Sequence, residues 1–190
     1  MRKKNVKLWN HLTKNLDDFE IQAGWFEDSK YDDGTSIAGI AAVQNYGANI
    51  NQNITEKQRN YLHYLGIHLK KTTQELNIVI PPRPFMDNAK KRIQGEEGKE
   101  VIIQELLRVF EGKQTIEIAA KRLGLWAQGV IQEEIKNIHT PALSPLTIED
   151  RNNKYISKSK NKSDKPLNAT GLMFETVQSK SGRKGNINQE

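Results

Sequence analysis

"IPPRPFM", residues 80–86, places three prolines, one arginine and one phenylalanine within seven positions. Each proline fixes its own φ angle, restricts the preceding residue to extended conformations, and removes a backbone donor. This stretch therefore cannot lie inside a helix or a central paired strand. Phe85 and Met86 follow as large apolar side chains that favour burial. The sequence predicts a rigid corner with an apolar anchor at its end.

Hydrophobic periodicity and capping signals predict the elements on either side of this corner. Thr55 stands three residues before Gln58 in a capping-box pattern, and Gly47 and Gly112 follow helical stripes. The predicted helices cover residues 5–17, 37–46, 54–76, 87–93, 96–112 and 115–138. The predicted strands cover residues 19–27, residues 77–80 and a segment after a turn at Gly171, and residues 140–148 are expected to form an extended loop.

The two longest predicted helices should pack as an antiparallel pair. In the first of them, the expected core stripe consists of Ile103, Leu106, Leu107 and Phe110. In the second, Gly124 provides a flat patch where another backbone can approach closely. We therefore predict an α+β fold in which a small antiparallel sheet packs with several helices, including this long antiparallel pair.

Composition indicates one compact domain with additional polar segments. The chain has 190 residues, of which 36% are hydrophobic and 27% are charged. It has no cysteine, which excludes disulfides and cysteine-ligated zinc. No apolar run is long enough to cross a membrane. We predict a single domain over residues 1–177, with a mobile basic loop at about residues 150–165 and a C-terminal tail over residues 178–190.

The positive charge is concentrated near the C-terminal end. The formal net charge is +6, and residues 151–190 contain 9 Lys+Arg against 3 Asp+Glu. Much of this excess lies in "RNNKYISKSKNKSDK", residues 151–165, which has few apolar groups. Two interpretations remain open. The run is a solvated loop, or it contacts nucleic acid through Lys158, Lys160 and Lys162.

Groups that could support catalysis or bind a metal are sparse. His63 and His68 are five residues apart on a predicted helix, which places them on different faces. "EGKQT", residues 111–115, resembles the end of a phosphate loop, but Leu107 occupies the place of its first glycine. No nucleophile has a recognisable base partner in the sequence. We expect no enzymatic activity, no cofactor and no metal site.

Three landmarks in a fixed order connect the corner to a known family. They are "IAAVQNYG" at residues 40–47, "IPPRPFM" at residues 80–86, and "TPALSPLTI" at residues 140–148 followed by "KPLNATGLMFETV" at residues 165–177. This arrangement resembles the phage virion-morphogenesis and tail-completion proteins, a family with Mu-like members that is related more distantly to small tail-terminator proteins. The resemblance covers about residues 37–177. Asn45 and Ala142 depart from the family pattern, which often has glutamate and proline there.

The resemblance implies a structural protein of the phage neck. Such a protein forms a homo-oligomeric ring, expected to be a hexamer, that ends the tail tube at its head-proximal side. Its protein partners would be the tail tube protein and the head-completion and neck proteins. In a contractile tail the sheath would be a further partner. Genomic DNA would pass through the channel of the ring. The protein would be located in the tail or neck of the virion after assembly in the host cytoplasm, without a membrane partner.

Five residues are candidates for the contact between subunits. Arg83, Pro84 and Phe85 would form a rigid tip, and Tyr46 and Gly47 would line the surface that receives it. One alternative is that the corner only turns the chain within one subunit. Another is that the protein is a basic nucleic-acid-binding module acting through residues 151–165.

Overall fold

The fold is of the α+β class. The structure, a computed structural model, describes residues 18–152 and 164–185, which form seven helices and four strands. The strands are β1 (Phe19–Gly24), β2 (Ala48–Asn53), β3 (Glu75–Ile80) and β4 (Gln178–Arg183). The helices are α1 (Ile37–Tyr46), α2 (Glu56–Tyr64), α3 (Phe85–Gln94), α4 (Glu96–Phe110), α5 (Ile116–Asn137), α6 (Pro145–Asn152) and α7 (Leu172–Glu175).

The chain divides into two compact units. The first unit comprises Met1–Phe26, Asn88–Glu133 and Val177–Glu190, and the second comprises Glu27–Asp87 and Glu134–Thr176. Each unit contains one two-stranded antiparallel sheet among the described residues. The single domain expected over residues 1–177 remains a prediction. The predicted helix over residues 5–17 lies outside the described residues.

In the first unit, β1 pairs with β4 beside α5. Phe19 lies opposite Arg183 at one end of this ladder, and Gly24 lies opposite Gln178 at the other. A Cβ atom added at Gly124 of α5 would lie 3.2 Å from the Cβ atom of Ser179 in β4. The chain does approach closely at this glycine, but the neighbours are the side chains of Ser179 and Ile21 and not the backbone that was predicted.

Helices α4 and α5 form the predicted antiparallel pair. Arg122 Nη1 of α5 lies 3.7 Å from Glu105 Oε2 of α4. At the other end of the pair, Arg92 contacts Glu97 near the start of α4 and Glu133 near the end of α5. The core side of α5 consists of small and aliphatic residues at helical spacing: Ala119, Ala120, Ala127, Val130 and Ile131.

The core stripe predicted on α4 is partly wrong. Ile103 is 56% exposed and Leu107 is 52% exposed, although both belong to that stripe. Gly98 is buried, and Val101, Glu105 and Val109 are half-buried on another side of the helix. The packed face of α4 is therefore rotated from its most apolar face, and at Gly98 its first turn lies close to the backbone of Ile93.

In the second unit, β2 and β3 form a ribbon that leads directly into the proline corner. Ala48 lies opposite Ile80, and Asn53 lies opposite Glu75. Helix α2 begins with the predicted capping box, in which Gln58 N donates to Thr55 Oγ1 at 3.2 Å. The core of this unit contains Ile37, Leu62, Phe85 and Met173.

Four local predictions differ from the structure. Strand β2 was missed because "ANINQN" lacks alternating apolar residues. The helix expected to extend to residue 76 ends at Tyr64, since the chain turns at Gly66 with a φ of 81°. Residues 145–148 belong to α6, where Ser144 Oγ accepts from Thr147 N as a helix cap. The residues directly after the turn at Gly171 form α7, and the strand predicted there is β4, which lies in the segment assigned to a C-terminal tail and pairs with β1.

In the described part of the chain, no helix combines the length and the apolar character that crossing a bilayer requires.

Two helical glycines provide a matched test of this packing. A Cβ atom at Gly98 would lie 1.8 Å from the carbonyl oxygen of Ile93, whereas one at Gly129 would have nothing within 4 Å. We expect Gly98→Ala to lower the free energy of unfolding by more than about 2 kcal/mol, because backbone must move. Gly129→Ala should raise it by about 0.5 to 1 kcal/mol. Urea unfolding followed by circular dichroism measures both, and equal stabilities of the two variants would contradict the packing at Gly98.

Candidate functional site

The guanidinium of Arg83 is the centre of the proline corner. Arg83 is only 4% exposed. Its Nε donates to the carbonyl oxygen of Pro141 at 3.0 Å, and its Nη2 donates to that of Ala142 at 3.2 Å. Its Nη1 donates to Gln44 Oε1 at 2.9 Å, and its backbone N donates to the Gln44 carbonyl oxygen at 2.8 Å. This one residue therefore links the end of α1, the end of β3 and the segment before α6.

Asn45 forms a second link between α1 and the corner. It is buried, its Oδ1 accepts from Met86 N at 2.9 Å, and its Nδ2 donates to Asp87 Oδ2 at 3.1 Å. The amide can both accept and donate, whereas a glutamate would face the Asp87 carboxylate with a like charge. The amide of Asn45 is thus matched to the carboxylate of its neighbour.

The structure corrects the role predicted for Arg83 and Phe85. Phe85 is 0% exposed and lies in the core of the second unit, and the donors of Arg83 bind acceptors of its own chain. Neither side chain forms a tip that one subunit offers to another. The alternative, in which the corner turns the chain within one subunit, explains both positions. The stiff proline segment and the buried side chain of Phe85 belong to the same turn of the chain.

The other three predicted interface residues differ in exposure. Tyr46 is 71% exposed, and Pro84 is exposed on the corner. Gly47 lies against its own chain with a φ of 76°, and a Cβ atom there would lie 2.7 Å from the carbonyl oxygen of Ile80. Gly47 is therefore required by the close approach of α1 to the corner, and of the predicted receiving surface only Tyr46 presents a side chain to solvent.

A cleft of about 800 Å³ lies next to this corner in the second unit. Most of its lining is aliphatic, and it includes residues 76–80 of β3 together with residues of α2, α6 and the segment before α7. Two arginines, Arg83 and Arg151, also line it. Arg151 is 8% exposed, and its Nη1 donates to the Lys165 carbonyl oxygen at 2.9 Å.

The electrostatics of the cleft follow from these two buried cations. Burial lowers the pKa of Arg83, and the charge of Arg151 lowers it further. Burial also lowers the pKa of Arg151, while the carboxylate of Asp150 opposes that shift. The cleft therefore combines a largely apolar lining with two buried guanidiniums, one of which has a carboxylate beside it.

Two tyrosines of the cleft stay protonated over the physiological range. Burial raises the pKa of Tyr61 to about 12, and its hydrogen bond to Asp150 raises it in the same direction. Burial raises the pKa of Tyr31, while a hydrogen bond with Thr170 lowers it. Both phenols line the cleft, and the single hydroxyl hydrogen of Tyr61 is donated to Asp150.

The two histidines of α2 and its following turn lie closer together than predicted. His63 Nδ1 and His68 Nδ1 are 2.7 Å apart at the surface, so the prediction that they lie on different faces of one helix is wrong. The reason is that α2 ends at Tyr64, before His68. Among residues 18–152 and 164–185, no group of three or more potential ligands could hold a metal ion.

Lys158, Lys160 and Lys162 lie outside the described residues, so the predicted nucleic-acid contact stays a prediction. Arg151, which begins that basic run, is instead buried at the end of α6. The Ser144–Pro145 step before it is a helix-start signal that could have revealed this position. Gln44 was likewise missed, because its spacing fits an ordinary helical stripe.

No family model matches the chain, and neither a curated protein nor a solved structure matches it.

The hydrogen bonds of Arg83 predict a large stability effect. Arg83→Leu should lower the free energy of unfolding by more than about 3 kcal/mol, because three buried acceptors lose a charged donor. Arg83→Lys should recover only part of this loss, since an ammonium does not reproduce the planar fork. Arg108, whose side chain is 49% exposed, is the control, and Arg108→Leu should change stability by less than about 0.5 kcal/mol. Similar urea midpoints for the Arg83 and Arg108 variants would contradict the central role of Arg83.

Phe85 tests the position of the apolar anchor. Phe85→Ala should destabilise the fold by about 3 to 5 kcal/mol, because it leaves a cavity in the core of the second unit. The thermal unfolding transition measures this loss. A variant with an unchanged transition but altered self-association would instead support the interface role.

Proposed function

We propose that the chain is a structural protein of a phage neck or tail, which assembles into a ring at the head-proximal end of the tail tube. One observation carries the proposal. The landmarks that resemble the tail-completion proteins are far apart in sequence, yet three of them supply the donors and acceptors around Arg83. Gln44, Arg83, Pro141 and Ala142 belong to these three landmarks and share its hydrogen bonds.

This convergence supports the resemblance for a physical reason. Short proline motifs that match by chance have no reason to contact one another. Here the polar residues of separate motifs satisfy one buried guanidinium, and Asn45 and Met86 of two motifs are joined by another hydrogen bond. The motifs therefore behave as parts of one structural unit, as expected if they were inherited together.

Exposed apolar side chains support the proposal that the chain assembles with other copies of itself. Ile103 and Leu107 lie one helical turn apart on α4 with half or more of their surface exposed, and Tyr46 is also well exposed beside the corner. Head-to-tail contacts that close on rotation would cover such surfaces in a ring. The ring would meet the tail tube and the head-completion proteins on its two ends and let the genome pass through its channel.

Tyr46 provides a test of the ring. Tyr46→Asp should weaken assembly by more than about 2 kcal/mol per contact, because large exposed tyrosines commonly dominate interfaces and a charge there must be desolvated. Tyr64 is 60% exposed on α2, so Tyr64→Asp is a matched control that should assemble normally. Native mass spectrometry and negative-stain images report assembly, and thermal unfolding verifies that both variants fold.

Two outcomes would contradict the proposed function. One is a wild-type chain that remains monomeric even when tail tubes are added. The other is tight binding of free duplex DNA that weakens steeply as salt rises, which would instead indicate a basic nucleic-acid-binding module.

A further inference from the structure

We propose that His63 and His68 form a surface site for one divalent late transition metal ion, with Cu²⁺ as the preferred ion. Their Nδ1 atoms lie 2.7 Å apart, and both side chains are exposed. The expectation of no metal site assumed one helix running through both histidines, whereas α2 ends at Tyr64. This site is independent of the phage assignment, because it depends only on the local backbone and on the coordination chemistry of imidazole.

The backbone at the end of α2 places the two histidines side by side. Gly66 has a φ of 81°, and its N donates to the His63 carbonyl oxygen at 3.0 Å. Ile67 N donates to the Leu62 carbonyl oxygen at 2.8 Å. These two hydrogen bonds are those of a Schellman motif, in which a left-handed residue reverses the chain after the last helical turn. His68 follows this reversal directly, which brings its ring back against His63.

The segments on both sides of this reversal are anchored. Leu62 and Leu65 are each 8% exposed, so the end of α2 is held in the core of the second unit. The guanidinium of Arg59, on the same helix, donates to the carbonyl oxygens of Lys70 and Thr73 and ties the chain beyond the second histidine back to α2. The two imidazoles are therefore held together by their own chain, which reduces the conformational entropy lost when an ion binds.

The distance between the two nitrogens favours a square-planar or tetragonal ion. Two nitrogens bound to one ion at about 2.0 Å lie about 2.8 Å apart when they subtend a right angle, and about 3.3 Å apart in a tetrahedral site. The observed distance of 2.7 Å is close to the first value. Square-planar and tetragonal sites are typical of Cu²⁺ and Ni²⁺, and Cu²⁺ has the highest affinity of the divalent first-row ions. The pair therefore favours copper over tetrahedral zinc.

The two rings can present both Nδ1 lone pairs to an ion after a change of tautomer. The hydrogen bond between them requires one Nδ1 to carry a proton and the other to accept it. The ring centroids lie 4.5 Å apart with the planes at 68°, so the rings are not stacked and contact each other through these nitrogens. On binding, the first ring loses its Nδ1 proton to water and takes one up at Nε2. Both neutral imidazoles then coordinate through Nδ1, with no net release of protons.

Two imidazoles occupy only part of the coordination shell of the ion. Among residues 18–152 and 164–185, no third His, Asp or Glu joins them in a group that could hold a metal ion. Water would occupy the other positions, so the bound ion would exchange with solvent and would accept a further ligand. The site is therefore expected to be weaker than a closed structural site with four protein ligands.

Titration of the full chain with CuCl₂, followed by isothermal titration calorimetry, tests the site. The wild type should bind one ion per chain through this pair. His63→Gln and His68→Gln should each weaken Kd about tenfold or more, because loss of a group that only orients a ligand already costs about tenfold. His139 is also exposed but lies outside the pair, so His139→Gln is a matched control that should bind within about twofold of the wild type.

Circular dichroism verifies that each glutamine variant folds. Binding by His68→Gln within about twofold of the wild type would overturn the proposal. A stoichiometry of one ion per two chains would also overturn it, because the ion would then be held between copies.

Electron paramagnetic resonance of the copper-loaded wild-type chain gives a readout that does not depend on any variant. The spectrum should show a tetragonal Cu²⁺ ion coupled to two imidazole nitrogens, and coupling to a single nitrogen would contradict the proposal. Titration with ZnCl₂ tests the preferred ion. Zn²⁺ should bind more weakly than Cu²⁺, and tighter binding of Zn²⁺ would overturn the assignment of a copper site.

Discussion

The buried guanidinium of Arg83 imposes the constraint on which the second unit depends. A charge removed from water must be surrounded by acceptors, and here they come from Gln44, Pro141 and Ala142. Satisfying that one residue therefore fixes the end of α1 and the segment before α6 relative to the corner. The prolines assist, because a stiff chain loses less conformational freedom on folding and holds Arg83 in place. Phe85 then anchors the same corner in the core.

The same constraint shapes the cleft. Acceptors supplied as neutral oxygens satisfy the donors of Arg83 but leave its charge, and Arg151 adds a second buried cation nearby. Burying two like charges costs stability compared with apolar packing, and the hydrogen bonds that both guanidiniums donate within the chain offset part of that cost.

Local signals were sufficient for much of the fold. Helix α1 with its closing glycine, the capping box of α2, and the pair α4 and α5 all follow from periodicity and caps that lie within a few residues. The failures have a common physical cause. Strand β2 is polar and is stabilised by pairing with β3, and the packed side of α4 carries Gly98, Val101, Glu105 and Val109 rather than the most apolar stripe. Both features depend on packing in the folded chain, which periodicity alone does not specify.

At the proline corner, the features that local sequence specifies can be separated from those that distant contacts specify. The sequence alone determined that residues 80–86 are stiff, that they end a strand and precede a helix, and that an apolar anchor follows, because proline dihedrals and side-chain hydrophobicity are local properties. Only the tertiary structure decided that Arg83 points inward, that Asn45 joins α1 to α3, and that β3 borders a cleft. The acceptors of Arg83 lie 39, 58 and 59 residues away in sequence. Whether a charged side chain is exposed or buried depends on such distant groups, which no local pattern specifies.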